Sequence, residues 1–120
     1  MVEIKTYRDL IVWQKSMLLV KEVYELTKKY PPDELYGLTS QTRRASVSIP
    51  TNIAEGRTRN TKKDFRHFLV VAYSSGAELE TEIEIAKMLN YAKPDDYKET
   101  DGLLLEVMKM LNSMLLKLRS

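Results

Sequence analysis

The 120-residue sequence contains no cysteine, which excludes a disulfide framework, a thiol nucleophile and a thiolate metal site. It has no apolar run near the roughly 20 residues that a membrane-spanning helix requires. Its amino terminus also lacks the apolar segment of a secretory signal peptide. We therefore expect a soluble, cytoplasmic protein without membrane contacts. A chain of this length can enclose one hydrophobic core, so we expect a single domain over residues 1–120.

The motifs of common enzyme and cofactor sites are absent as well. The sequence has no glycine-rich phosphate loop, nucleophile elbow or zinc-binding helix motif. Its single histidine, His67, follows Asp64 by three residues. This spacing faintly resembles that of di-iron helical bundles, but such sites need two carboxylate–histidine pairs and further inward carboxylates. The sequence therefore predicts a protein without a metal, a cofactor or catalytic residues.

Four long segments repeat apolar residues at intervals of three and four, the spacing of a helix packing seam. Pro31 and Pro32 end the first segment because neither can donate a backbone hydrogen bond. Pro94 and the two aspartates after it suit the start of the fourth. We place the first helix at about Arg8–Lys29 and the second at Leu38–Arg59. The third should start with Thr61 as its cap and run to about Tyr91. Short loops make neighbouring helices antiparallel, so the sequence predicts an all-α, up-down-up-down four-helix bundle.

The second predicted helix contains a proline in its interior. Pro50 removes a backbone donor and collides with the carbonyl of Ser46, which costs about 3 kcal/mol unless it is offset. Ser48, Thr51 and Asn52 surround the break with short polar groups that can bond a freed carbonyl or hold a water. We therefore expect the helix to bend at Pro50 and to continue beyond it.

The first and fourth predicted helices each carry two apolar lines, although one line is sufficient for an internal core. On the first helix the lines are Leu10, Trp13, Met17, Val20, Tyr24 and Thr27, and Val12, Leu19, Val23, Leu26 and Tyr30. On the fourth they are Leu104, Met108, Leu111, Leu115 and Leu118, and Leu103, Val107, Met110 and Met114. The extra lines indicate either a broad core stripe or an interface between copies of the chain.

The third predicted helix has one heptad line: Phe65, Leu69, Ala72, Gly76, Leu79, Ile83 and Ala86. A glycine inside a helix costs about 1 kcal/mol relative to alanine. Gly76 therefore predicts the close approach of a neighbouring backbone or of the bent second helix.

Charge is unevenly distributed along the chain, although its formal net value is only +2. Residues 42–67 carry seven basic and two acidic side chains. Five of these cations cluster at the predicted turn between the second and third helices: Arg57, Arg59, Lys62, Lys63 and Arg66. Cations near a helix amino terminus oppose its dipole, so their placement favours a ligand with phosphate groups. The alternative is a solvated basic turn that maintains solubility.

A second polar group is predicted to be structural. Antiparallel pairing about a turn at residues 58–60 places Gln41 near Ala77 and Arg44 near Ser74. We therefore expect Gln41, Arg43 or Arg44 to bond Glu78 or Glu80, within one subunit or across a subunit boundary. The same register makes Asn52 and Glu55 face Arg66 and Lys63. For Arg44, the alternative is a contact with nucleic acid.

Three stretches of the sequence carry a family resemblance. They are Tyr36-Gly37-Leu38, Gln41-Thr42-Arg43-Arg44-Ala45 and Ser48-Ile49-Pro50-Thr51-Asn52-Ile53-Ala54-Glu55-Gly56. They closely resemble the signature of the bacterial four-helix-bundle proteins encoded by intervening sequences of 23S rRNA genes. Further matching positions are Asp9-Leu10, Trp13, Val23-Tyr24, Phe65, Phe68-Leu69, Ala72, Ser75 and Glu78-Leu79-Glu80, so the similarity extends from about Tyr7 to Tyr91.

This resemblance implies a four-helix bundle that assembles as a homopentameric ring. It also implies kinship with the accessory variability determinant proteins of diversity-generating retroelements, which are pentameric and basic and bind nucleic acid and a reverse transcriptase. We therefore expect a non-enzymatic homo-oligomer that prefers structured RNA or DNA and binds it through phosphate contacts without base readout, since few exposed aromatics are expected for stacking. The alternative is a scaffold that recruits a protein such as a reverse transcriptase.

Overall fold

The computed structural model describes residues 5–119. Its four α-helices are α1 (Ile11–Thr27), α2 (Leu38–Thr58), α3 (Lys62–Met88) and α4 (Lys98–Lys117). Three short 3-10 helices, Tyr7–Asp9, Pro32–Glu34 and Pro94–Tyr97, precede α1, α2 and α4. No strand occurs between residues 5 and 119, so the predicted all-α class is confirmed.

Contacts at two heights fix the direction of three of the four neighbouring pairs of helices, and the direction of α1 against α2 follows from these three. The α1 side meets the α4 side at Lys15–Glu106 and Lys29–Asp96. α3 meets α4 at Gly76–Met108 and Lys87–Asp101. α2 meets α3 at Ser48–Ser75 and Gly56–Phe68. In each of these pairs, the residue number rises along one helix while the number of the contacting residue falls along the other. Neighbouring helices are therefore antiparallel, with α1 and α3 each packed against both α2 and α4. This is the predicted up-down-up-down four-helix bundle.

The core receives apolar side chains from all four helices. The α3 line is buried from Leu69 to Ala86, as predicted. In α1 the line that contains Leu19 and Val23 faces the core, whereas Met17 and Tyr24 of the other line are exposed. Met17 and Tyr24 are therefore available for contacts beyond the protomer, whereas Thr27 of the same line is buried and Leu10 and Trp13 pack against the core.

α2 continues through Pro50, so the predicted continuation of the helix is confirmed. Short polar side chains bond backbone carbonyls on both sides of the proline. Ser46, Thr51 and Asn52 donate to the carbonyls of Arg43, Val47 and Ser48 at 2.7, 2.8 and 2.8 Å. These bonds satisfy carbonyls next to Pro50. They do not include the carbonyl of Ser46, whose usual donor would be the backbone N–H that Pro50 lacks.

Asparagines in the left-handed conformation follow two of the helices. Asn60, with φ of 63°, follows α2, and Asn90, with φ of 58°, follows α3. Asparagine tolerates this conformation better than most residues. Between α2 and α3, the side chain of Thr61 accepts a hydrogen bond from the Asp64 amide at 3.1 Å, which confirms the predicted cap.

The close approach at Gly76 comes from α4. A β-carbon at Gly76 would overlap the sulfur of Met108, so the expectation that α2 or a neighbouring backbone lies there is wrong. α2 and α3 approach each other closely at Gly56 of α2. There a β-carbon would lie 2.7 Å from Cβ of Phe68.

Gly56→Ala is expected to lower the free energy of unfolding by about 1–2 kcal/mol, because the overlap with Phe68 outweighs the gain in helix propensity. Gly102 is the matched control, since it also lies inside a helix but a β-carbon there would have no atom within 4 Å. Gly102→Ala should raise the free energy of unfolding by about 0.5–1 kcal/mol. Urea denaturation of both variants checks the opposite signs, and equal shifts would contradict the packing at Gly56.

Candidate nucleic-acid interface

The short α2–α3 turn brings basic residues from two helices to one end of the bundle. α2 ends at Thr58 and α3 begins at Lys62, so the residues on either side of the turn are neighbours in space. The carboxyl end of α4 reaches the same place, because Leu118 lines the grooves there together with Lys62.

Lys62, Lys63 and Arg66 line one groove of about 650 Å³ together with His67, Val70 and Leu118. We call these six residues the basic groove. Within residues 5–119, the three cations form no hydrogen bond or ion pair. Lys62 and Lys63 are exposed and Arg66 is half-buried. The basic groove therefore concentrates positive charge that forms no ion pair within residues 5–119.

The other two predicted cations have different surroundings. Arg57 lines an adjacent groove of about 310 Å³ with Lys62 and Phe65. Arg59 pairs with Glu55 at 3.0 Å, and its guanidinium lies 5.2 Å from the centre of the Phe68 ring. Arg59 is thus partly neutralised, whereas the α3 cations are not. The proposed role of all five residues in nucleic-acid binding stays a prediction.

Arg43 does not meet the α3 carboxylates. Its Nε donates to Oγ1 of Thr27 at 2.8 Å, and its guanidinium lies 4.7 Å from the centre of the Tyr24 ring. Of the three residues expected to supply a bond to Glu78 or Glu80, Arg43 therefore does not do so within the protomer, because its side chain points to α1.

Asn52 and Glu55 also differ from the predicted arrangement. Asn52 bonds the backbone and hydroxyl of Ser48, and Glu55 pairs with Arg59, so both bind within α2. The predicted register between α2 and α3, in which Asn52 and Glu55 face Arg66 and Lys63, is therefore wrong by about one helical turn. The hydrogen bond between the hydroxyls of Ser48 and Ser75, at 2.8 Å, shows the actual register.

Gln41 and Arg44 do lie beside a carboxylate of α3. They line a polar pocket of about 420 Å³ with Glu78 and Glu82. Glu80, which was expected here, is exposed and does not line this pocket. In the described part of the chain, Arg44 forms no ion pair, so the pocket holds a guanidinium and two carboxylates without a direct bond between them.

Glu82 is the residue that sequence reasoning missed. Its Oε1 is inaccessible to solvent and has no hydrogen-bond partner among the described residues. Burial, and then repulsion by Glu78, raises the pKa of Glu82 to about 7. The signal for this pairing was the i, i+4 spacing of the two glutamates, which places them on one face of a helix.

Glu82→Gln is expected to raise the thermal unfolding midpoint at pH 8 and to change it little at pH 4. The folded state binds the Glu82 proton more tightly than the unfolded chain does, where the pKa is near 4.5. The destabilisation from ionising Glu82 is therefore absent below about pH 4.5, grows up to about pH 7 and is complete above it. Thermal melts at both pH values measure this difference.

Glu80→Gln serves as the control for this measurement, since Glu80 is exposed on the same helix. It should leave the pH dependence of the midpoint unchanged. An equal effect of Glu82→Gln at pH 4 and pH 8 would contradict the assignment of the raised pKa.

Two further features of the described chain concern other kinds of site. No helix between residues 5 and 119 combines the length and apolar character needed to cross a membrane. Over the same residues, no three histidine, aspartate or glutamate side chains come together as metal ligands would.

Comparison with known proteins places the chain among helical bundles. The sequence profile of the 23S rRNA-intervening sequence proteins matches residues 8–113. A solved protein of unknown function from the S23 ribosomal protein family of Bacteroides thetaiotaomicron VPI-5482 has a similar structure, with a TM-score of 0.79 and 24% sequence identity. The similarity covers 88% of this chain and 98% of that one, and at this identity it supports the fold alone. No curated protein matches the sequence.

Proposed function

Since the chain belongs to the 23S rRNA-intervening sequence protein family, we propose that it is a non-enzymatic homo-oligomer that binds nucleic acid through the basic groove and the adjoining turn. The observation that carries this proposal is the set of unpaired cations at Lys62, Lys63 and Arg66. The fold presents them on one face, and the ligand is a phosphate backbone of RNA or DNA.

Electrostatics support an anionic ligand at this place. Three like charges on the first turns of α3 repel one another and oppose the helix dipole, which is positive at the amino terminus. Asp64 also lies in the first turn of α3, but within residues 5–119 it forms no ion pair with these cations and it does not line the groove. A phosphate chain relieves this repulsion and releases condensed counterions when it binds.

The outward face of α1 supports association between copies. Met17 and Val47 are 44% and 40% exposed. Together with Trp13, Val20 and Pro50 they line an apolar groove of about 600 Å³ between α1 and α2. Exposed apolar surface of this kind marks interaction sites in water-exposed proteins. We propose a second copy as its occupant and, from the family resemblance, a ring of five copies.

The proposal is tested by titrating nuclease-treated protein with RNA and DNA strands at several salt concentrations. Three phosphate contacts per protomer predict a slope of log affinity against log salt of about −2 for single strands and about −3 for duplexes. A slope near zero would contradict a phosphate-binding groove. Light scattering coupled to size exclusion measures the number of copies in the same preparation.

A scaffold for a protein partner, such as a reverse transcriptase, is the second candidate function. A largely apolar groove of about 630 Å³ between α1 and α4, lined by Ile11, Met110 and Met114 among others, favours it. Recovery of a protein partner that persists after nuclease treatment would support this function. Loss of every partner with nuclease would support nucleic-acid binding.

A further inference from the structure

We propose that the basic groove holds an unpaired nucleobase while its cations hold the flanking phosphates. The protein would then prefer single strands or loops over an uninterrupted duplex. This inference rests on the proposed nucleic-acid binding and adds the form of nucleic acid that is bound. It also amends two expectations, the preference for structured nucleic acid and phosphate contacts alone, because it adds an unpaired base that stacks in the groove.

The composition of the groove is mixed in a way that a phosphate site does not require. Lys62, Lys63 and Arg66 supply the charge, whereas Val70 and Leu118 supply apolar surface beside it. Val70 is 39% exposed. A site for phosphate alone gains nothing from an apolar surface next to its cations. A nucleotide matches both parts, because its base has an apolar face and its phosphate is an anion.

The positions along α3 place the two kinds of side chain on one helix face. Lys63, His67 and Val70 follow one another at intervals of four and three residues, and Lys62 and Arg66 are four apart. Such intervals bring side chains onto adjacent turns of the same face. From residue 62 to residue 70 the helix rises about 12 Å. The groove is thus long enough for a base with a phosphate on either side.

His67 provides an aromatic ring at this face. Its imidazole is exposed and meets the ring of Phe68 edge to face, with the ring centres 5.2 Å apart and the planes at 77°. Arg59 lies over the Phe68 ring, so Phe68 is held from a second side. A positioned histidine ring can stack on an unpaired base. The groove volume of about 650 Å³ falls in the range of sites that enclose small ligands.

The test compares three single strands that carry equal backbone charge, and sets a duplex beside them. Strands of about 15 nucleotides match the size of known single-strand sites. The probes are oligouridylate, oligodeoxyuridylate, an abasic strand with the same phosphates, and a blunt duplex. We expect the strands with bases to bind at least about tenfold more tightly than the abasic strand, because each stacked base adds to affinity. The tighter of the two base-containing strands identifies the sugar.

Equal affinity for abasic and base-containing strands, or tighter binding of the duplex, would overturn the base-binding inference and leave phosphate binding intact. Failure of all four probes to bind would instead overturn the proposed function. The two failures are therefore distinguishable from one set of titrations.

Substitutions at the groove locate the effect. His67→Ala and Val70→Ser should weaken the binding of base-containing strands several-fold more than the binding of the abasic strand, which reduces the preference for a base. Ile85→Ser is the matched control, because Ile85 is 40% exposed on the same helix and does not line the groove. Melting curves confirm that each variant is folded. An unchanged base preference in both groove variants would overturn the assignment to this groove.

Discussion

Replacing Lys62, Lys63 and Arg66 with glutamine is expected to weaken nucleic-acid binding at low salt by about 100-fold or more. Each lost phosphate contact also removes about 0.7 to 0.9 from the magnitude of the log–log salt slope. The triple variant should therefore show a slope that is smaller in magnitude by about 2 to 3 per protomer. Titrations by fluorescence anisotropy at several salt concentrations measure both quantities. The variant should fold normally, because none of the three side chains forms a hydrogen bond or ion pair within residues 5–119.

The control removes the same charge from other faces of the bundle. Lys21, Lys93 and Lys109 are exposed, and their replacement with glutamine changes the net charge by the same amount. Long-range attraction is reduced equally in the two triple variants. Equal weakening by both would mean that net charge, and not the groove, governs binding. Unchanged affinity in the groove variant would remove the basis of the proposed function.

The topology was predictable because its causes are local. The heptad line of α3 extends over seven positions, and prolines separate α1 from α2 and α3 from α4. The exact first residues of the helices were harder to predict. The chain was expected to be helical from about Arg8, whereas a 3-10 turn capped by Thr6 precedes α1. Apolar periodicity does not distinguish such a turn from the first turn of a helix.

The orientation of α1 could not be obtained from its pattern. Both apolar lines have helical spacing, so either line could face the core. The inward line contains compact aliphatic residues such as Leu19 and Val23, which are fully buried. The outward line contains Met17 and Tyr24, and Tyr24 contacts the guanidinium of Arg43. The choice between the lines depends on how each packs against α2 and α4, and this information is not local.

The proximity of Lys62, Lys63 and Arg66 could be predicted from the sequence because these cations are close together along the chain, whereas the apolar residues of the groove were not predicted. The polar network could not be predicted in the same way, because it depends on the register between α2 and α3. The turn between α2 and α3 lies at residues 59–61, one residue later than the expected 58–60, and Ser48 meets Ser75. A shift of about one turn brings Glu82 to Arg44 and leaves Glu80 in solvent.

Arg43 could have been assigned to a different helix from the sequence alone. Consecutive residues of a helix are rotated by about 100° from each other. The side chains of Arg43 and Arg44 therefore point in different directions, so both cannot reach the same carboxylate of α3. The two arginines lie on different faces of α2, and Arg43 reaches Thr27 while Arg44 lies near Glu78 and Glu82.

Replacing Met17 and Val47 with glutamate is expected to dissociate the proposed oligomer into monomers. Both side chains are exposed in the protomer, so the substitutions should leave the bundle folded. In an interface they would bury carboxylates against apolar surface, which costs several kcal/mol per copy unless each charge is paired. Light scattering coupled to size exclusion measures the mass, and the protomer mass is 14.0 kDa.

Ile85 and Leu105 provide the control, since they are 40% and 55% exposed and lie outside the α1–α2 groove. Their replacement with glutamate should leave the oligomer mass unchanged. The dissociated Met17 and Val47 variant retains every residue of the basic groove, so each protomer should bind a short strand as before. A strand long enough to reach several grooves should bind about 100-fold more weakly to it, because linked sites raise the effective concentration of one another. A wild-type monomer would contradict the interface, and equal binding of long strands by both forms would show that the grooves act singly.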